Sequence, residues 1–206
     1  MEAELAFSNA AYSGGIYPAR DFIGHDDEMY GVGISPDGRS LVTAALDNTI
    51  REWDLTTGEQ IRQIEIPGGQ IAHWYGAAVS PDGRQVLVGL EDLSLVLVDV
   101  ESGEIIHRMA GHDGLIWVIK FSPDGRTALT GAGDGTDFYM RFWDLESGEE
   151  IRKFVGHTDS VTDVVYMPDG RTALSVSYDG SMIRWDLETG EILQQIFNVD
   201  NELFTS

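Results

Sequence analysis

Four residues recur along this chain at one fixed internal spacing. His25, Thr43, Asp47 and Trp53 form one copy, and His157, Ser175, Asp179 and Trp185 form another. In both, eighteen positions separate the His from the hydroxyl, four more lead to the Asp and six more to the Trp. Such a ruler means that one supersecondary unit of about 40–45 residues is stacked repeatedly. It points to a binding platform rather than an enzyme, because one active site does not need several copies of its residues.

The text around the ruler specifies the unit. Pro-Asp-Gly-Arg stands at Pro36–Arg39, Pro81–Arg84, Pro123–Arg126 and Pro168–Arg171. Pro fixes φ and Gly accepts positive φ, so each copy is a tight turn between strands. Short apolar-rich runs flank each turn, such as Val118 to Phe121 before and Thr172 to Val176 after. An Asp-containing turn follows, then a run ending in Trp-Asp at 53–54, 143–144 and 185–186, with Val98-Asp99 in its place once. A second hairpin, Asp-Leu-Thr-Thr-Gly-Glu at Asp54 to Glu59 and close relatives elsewhere, leads through one more strand to Gly-His at 24–25, 111–112 and 156–157. Each unit therefore holds four short strands, and no segment carries helical periodicity.

The Gly-His … Trp-Asp pattern resembles the WD-repeat family of β-propellers. The resemblance covers nearly the whole chain and implies an all-β fold of four complete four-stranded blades plus partial terminal blades. The expected division is a partial blade holding the last two strands at 1–24, repeats at 25–65, 66–109, 110–155 and 156–197, and the start of a further blade or a tail at 198–206. Leu5 to Ser8 and Ile16 to Ile23 read as strands of the first partial blade, and Leu203-Phe204 as the start of the last. Closure into a ring is not assured. The chain reads as part of a longer array, as a homo-oligomer, or as a smaller ring completed by its partial blades.

The copies differ. In the third, His112, Thr130 and Asp134 keep register, while Trp143 falls three residues late, and the insertion reads as Gly135 to Phe138. The second is degenerate: Gln70, Val88 and Val98 stand at the His, hydroxyl and Trp positions, and Asp92 alone remains. That unit must rely on apolar packing.

A His, a hydroxyl and an Asp invite comparison with a hydrolase triad, which needs an exposed nucleophile beside its base. The family resemblance implies a structural network instead. In it the Trp N–H bonds the hydroxyl, the hydroxyl bonds the His and the His bonds the turn Asp. Asp134-Gly135-Thr136-Asp137 lacks the ligand count and distal Glu of a calcium loop. Gly31-Val32-Gly33 and Gly131-Ala132-Gly133 precede no helix that could present its N-terminus to a phosphate. Three of the five histidines belong to the Gly-His repeats, so a zinc cluster is not expected. No catalytic residue, metal or cofactor is expected.

Composition bears on partners. Thirty-five acidic against 13 basic residues give a net charge of −22, which repels nucleic acid and anionic membranes and favours basic partners. There is no cysteine, no apolar run long enough for a membrane span and no signal-peptide pattern at Met1-Glu2-Ala3-Glu4. A cytoplasmic location is the expectation.

In the resembling family, partners commonly bind the face carrying the His-side loops and Asp turns. The positions are the third and fifth residues after the His and the one before the turn Asp. Carried over, they are Glu28, Tyr30 and Leu46; His73, Tyr75 and Glu91; Leu115, Trp117 and Gly133; and Ser160, Thr162 and Tyr178. Tyr30, His73, Tyr75, Leu115, Trp117 and Tyr178 are the candidate contacts, and aromatic residues suit binding hot spots. The reading is a non-catalytic interaction scaffold that takes a basic protein or peptide. The alternatives are a propeller-based enzyme with its site in the central channel, or a self-associating structural subunit. Lys120 and Asp163 are the ionisable groups that the inner strands offer such a channel.

Overall fold

The computed structural model describes residues 21–66, 70–71 and 76–197. The expected partial blades at 1–24 and 198–206 lie outside these residues, apart from 21–24. The described chain is all β and forms four antiparallel sheets of four strands each. The first holds β1 (Met29–Ile34), β2 (Ser40–Ala45), β3 (Thr49–Asp54) and β4 (Gln60–Glu65). The second holds β5 (Ala77–Val79), β6 (Gln85–Gly89), β7 (Leu95–Asp99) and β8 (Ile105–Met109). β9 (Leu115–Phe121), β10 (Thr127–Gly133), β11 (Met140–Asp144) and β12 (Glu150–Phe154) form the third. β13 (Val161–Tyr166), β14 (Thr172–Ser177), β15 (Ser181–Asp186) and β16 (Ile192–Phe197) form the fourth. Within each sheet the strands lie in sequence order, as successive tight hairpins require.

The turns follow from their residues. In Pro-Asp-Gly-Arg the glycine takes positive φ, 68° at Gly38, a region that L side chains rarely enter. The Asp caps the turn: Asp37 accepts a hydrogen bond from Ser35 Oγ at 2.7 Å and from Arg39 N at 3.0 Å. Ser80 and Ser122 repeat this on Asp82 and Asp124. The fourth sheet has Met167 at the serine position, and Thr172 Oγ1 bonds Asp169 instead, at 2.7 Å.

The second strand of the first sheet is buried along nearly its whole length, which alternation on one wetted face cannot give. The second and third sheets are instead covered on both sides by their neighbours, and the first is covered by the second sheet on one side and by Phe22, packed on Leu41 and Trp53, on the other. One core joins Val42, Ala44, Ile50 and Ile64 of the first sheet to Val86, Val88, Val96 and Val98 of the second. A second joins Leu87, Leu95, Leu97 and Met109 to Ile116, Ile119, Ala128 and Trp143. A third joins Val118, Leu129, Met140 and Phe154 to Val161, Val164, Ala173 and Trp185. The inner strands pack β1 on β5, β5 on β9 and β9 on β13; among the described residues the first and fourth sheets do not pack closely on each other. Each sheet thus has a leading face toward the sheet before it and a trailing face toward the sheet after it.

Candidate functional site

The repeated polar residues come together inside the leading faces. In the first sheet Trp53 Nε1–H donates to Thr43 Oγ1 at 2.8 Å, and that hydroxyl lies 2.7 Å from His25 Nε2. His25 Nδ1 lies 2.8 Å from Asp47 Oδ2, which also accepts Asp26 N–H at 3.1 Å. The fourth sheet repeats the geometry with Trp185, Ser175, His157 and Asp179, at 2.8, 2.7 and 2.9 Å. A single run of donors, indole to hydroxyl to imidazole to carboxylate, uses a neutral imidazole with its proton on Nδ1. Burial holds the His25 and His112 imidazoles below their ordinary pKa, against the opposing pull of Asp47 and Asp137. The hydroxyls are buried and pinned by the indoles, so none is placed as an exposed nucleophile.

The third sheet corrects one expectation. Asp137, not Asp134, receives His112 Nδ1–H at 2.9 Å and Asp113 N–H at 2.7 Å, while Thr130 Oγ1 links His112 Nε2 to Trp143 at 2.7 and 2.8 Å. Asp134 is exposed and adopts a φ of 68°. The extra residues therefore precede the functional Asp rather than follow it, and β10 runs on to Gly133 before the chain turns. Counting back six positions from Trp143, as in the other copies, reaches Asp137. Burial raises the Asp137 carboxyl, but hydrogen bonds from His112 and Asp113 N–H, with the Arg141 charge, outweigh it and hold the pKa at about 2. With one Asp buried in the network and the other exposed, the loop does not gather its carboxylates. Among the described residues no group of three His, Cys, Asp or Glu side chains is placed to hold a metal ion.

The candidate partner contacts divide. His73 and Tyr75 lie outside the described residues. Tyr30 is half-buried, with its hydroxyl donating to the Glu28 carboxylate. Leu115 and Trp117 are half-buried, and Tyr178 is 68% exposed. Gly133 and Ser160 are buried rather than exposed, because they lie where the third sheet meets the fourth. A Cβ at Gly133 would come within 2.7 Å of both Ser160 and Trp117 Cε2, so the glycine seats the indole.

A backbone irregularity places these side chains. The inner strand of each of three sheets shifts register once, between Met29 and Gly31, opposite Gly131 and Ala132, and between Val161 and Asp163. The extra residues are Tyr30, Trp117 and Thr162, each the fifth after its His. A β-bulge re-aims the side chain of its extra residue, and no residue type announces it in the sequence. The position before the turn Asp is tied to the third residue after the His: Leu46 N–H donates to Glu28 O at 2.9 Å and Tyr178 N–H to Ser160 O at 3.0 Å. Trp117 and Tyr178 consequently meet across the junction of the third and fourth sheets, edge to face, with centroids 5.7 Å apart at 81°. Asp134 and Asp159, both exposed, adjoin Gly133 and Ser160 beside this pair.

The opposite face carries the hairpins. There Asp54 Oδ1 accepts the N–H groups of Thr56 and Thr57, and Arg39 and Asp37 form an exposed pair at 4.0 Å that contributes little. In the inner strands Lys120 Nζ and Asp163 Oδ1 lie 3.6 Å apart, both half-exposed or more.

Comparison with known proteins agrees with this geometry. Protein groucho of Drosophila melanogaster is 52% identical over 44 residues, covering 21% of this chain and 6% of that protein. The U3 small nucleolar RNA-associated protein 21 homolog of Schizosaccharomyces pombe is 48% identical over 48 residues, covering 23% of this chain and 5% of that protein. The shared segments are thus about one repeat long and a small part of either relative. The sequence profile of the WD domain, G-beta repeat, matches residues 17–54, 103–144 and 148–186, each match ending on the Asp that closes a third strand. The stretch between the first two matches, 55–102, contains the first three strands of the second sheet, whose His, hydroxyl and Trp positions are Gln70, Val88 and Val98. With four four-stranded antiparallel blades and that profile matching more than half its length, the chain belongs to the WD-repeat family.

Proposed function

We propose that the chain is a non-catalytic interaction scaffold that holds a basic peptide on the face where the bulges and Asp turns emerge. Membership of the WD-repeat family, whose domains mediate protein interactions, supports the scaffold. The observation that carries the choice of face is the Trp117–Tyr178 pair. It is an edge-to-face aromatic contact across two sheets, with Tyr178 largely exposed and with the exposed Asp134 and Asp159 next in sequence to Gly133 and Ser160. An indole and a phenol beside Asp134 and Asp159 suit a Lys or Arg side chain, which gains from the ring face and from the carboxylates together. Tyr30, with Glu28 at its hydroxyl, offers a second such place on the first sheet. The net charge of −22 speeds the arrival of a cationic peptide more than it strengthens the complex.

A Trp117→Ala, Tyr178→Ala double variant should keep the wild-type circular dichroism and melting behaviour. It should bind a Lys/Arg-rich peptide selected on the wild-type protein at least tenfold more weakly, a loss of about 1.4 kcal/mol. The test is titration of that peptide at low and high salt. Full affinity in the variant would move the site elsewhere, with the hairpin face next in line.

A further inference from the structure

Asp-Gly occurs seven times in this chain, at 37–38, 82–83, 113–114, 124–125, 134–135, 169–170 and 179–180. Each such pair carries a reaction of its own backbone. The glycine nitrogen can attack the side-chain carboxyl of the preceding aspartic acid, because a residue without a Cβ leaves that nitrogen unhindered and free to turn. The turn chemistry that builds the sheets closes this route almost everywhere.

In five pairs both reactants are held. Gly38, Gly83, Gly125, Gly170 and Gly180 each donate their N–H to the carbonyl three residues back, at 2.8 to 3.1 Å. The carboxylates of the same pairs are occupied. Asp37, Asp82 and Asp124 each accept a serine hydroxyl and the N–H of the arginine two places on. Asp169 accepts the N–H groups of Arg171 and Thr172, and Asp179 accepts Ser181 N–H and His157 Nδ1–H. In the sixth pair the Arg141 guanidinium lies 3.9 Å from the Asp113 carboxylate. Gly114 is buried beneath two carbonyls, so that a Cβ there would meet Gly133 O at 3.0 Å and Asp134 O at 2.6 Å.

The seventh pair escapes these restraints. Asp134 and Gly135 stand in the inserted turn between β10 and β11, outside the Pro-Asp-Gly-Arg hairpins. Both are exposed and both take positive φ, 68° and 81°. A Cβ on Gly135 would meet nothing within 4 Å. Among the described residues no hydrogen bond or ion pair reaches the Asp134 carboxylate, and no acceptor takes the Gly135 N–H; Asp134 N–H lies 3.4 Å from Ser160 Oγ. An unengaged nucleophile therefore stands next to an unengaged carboxyl.

We propose that Asp134–Gly135 is a self-modification site, where the backbone isomerises to isoaspartate. The Gly135 nitrogen bonds to Cγ of the protonated Asp134 side chain. The carboxyl C–OH bond breaks, and the hydroxyl leaves with the amide proton as water. The product is a five-membered succinimide. Water then adds to one of its two carbonyls, and the C–N bond there breaks. Addition at Cγ restores aspartate. Addition at the main-chain carbonyl leaves the chain running through Cγ, one atom longer, with the former backbone carbonyl as a free carboxylate. Water lost in the first step returns in the second, and no oxidant or reductant takes part. The carbonyl that becomes the carboxylate is the one lying over Gly114, and Gly133 beside it seats the Trp117 indole. The isomer thus sets a charge against the loop that carries this seat, and presents a group of the kind that isoaspartyl carboxyl methyltransferases esterify.

The test holds the folded protein in mildly acidic heavy-oxygen water at physiological temperature for several weeks, beside a sample in denaturant. Digestion with trypsin in ordinary water places the seven pairs in seven separate peptides, with Asp134 in Thr127–Arg141. Mass spectrometry reads heavy-oxygen uptake, and an isoaspartyl-specific methyltransferase with labelled S-adenosylmethionine reads the isomer. In the folded sample both signals in Thr127–Arg141 should exceed those of every other Asp-Gly peptide by about tenfold, since five rivals must first give up hydrogen bonds and the sixth is buried. In denaturant the seven should converge. Asp134→Glu, which would have to close a six-membered ring, should keep the fold and lose both signals from its peptide. Signals spread evenly over the folded protein, or a maximum at another pair, would overturn the proposal. So would a Thr127–Arg141 signal that survives Asp134→Glu, which would belong to Asp137, or the same preference in denaturant, where the fold selects nothing.

Discussion

The third copy of the polar network separates two aspartates that look interchangeable in sequence. Asp137 accepts from an imidazole, a backbone N–H and, at 3.4 Å, the Arg141 guanidinium, and its side chain is fully buried. Asp134 is exposed. Asp137→Asn keeps the shape but sets an amide where a charged acceptor of several donors stood, and should cost about 1–3 kcal/mol. Asp134→Asn should cost less than about 0.5 kcal/mol. Paired thermal or urea melts check this, and equal midpoints for the two variants would return the role to Asp134. The difference was legible in the sequence only by measuring backward from Trp143. Counting forward from Thr130 lands on Asp134, because the inserted residues fall inside that interval.

At the scale of the element, the strands and hairpins could be read in advance because their punctuation is chemical. Proline at 36, 81, 123 and 168 and the following glycines leave the backbone few choices. The bulges could not be read, since Tyr30, Trp117 and Thr162 share no residue type and the extra residue is set by how neighbouring sheets fit. The burial of Ser160 and Gly133 was hidden for the same reason: it arises at a junction between sheets. The second sheet shows what replaces a network. Val88 and Val98 stand at the hydroxyl and Trp positions and are almost wholly buried in the core shared with Ile50 and Ile64. Val88→Thr would put a hydroxyl into that core without the histidine and indole that serve Thr43. It should cost about 1–3 kcal/mol, read as a lower urea midpoint. A midpoint at or above wild type would mean that this sheet can supply a partner.

For the whole molecule, the networks add to one another when the solution is acidified. His25 and His112 are held below their ordinary pKa by burial, so above about pH 6.5 they are neutral whether the chain is folded or not. Below that, the unfolded chain takes up protons that the folded one refuses, and stability falls. Asp137 and Asp179 are each held at about 2; their contribution is complete above about pH 4 and is lost as the pH falls towards 2. The melting temperature should therefore begin to fall near pH 6.5 and drop further below pH 4, as differential scanning calorimetry across that range would show. A flat profile from pH 7 to 4 would mean that the buried histidines carry their protons in the folded state. The same networks bear on how the sheets share the work. Among the described residues the sheets pack on their neighbours in the chain, so stability is close to a nearest-neighbour sum, as in a linear array. The second sheet has lost three of its four network residues and is braced from both sides. The fourth keeps all four, and among the described residues it is braced from one side alone. Loss of hydrogen-bond chemistry is thus tolerable in the interior of the array, where a second contact compensates, whereas at its edge the buried polar relay is the local safeguard against fraying.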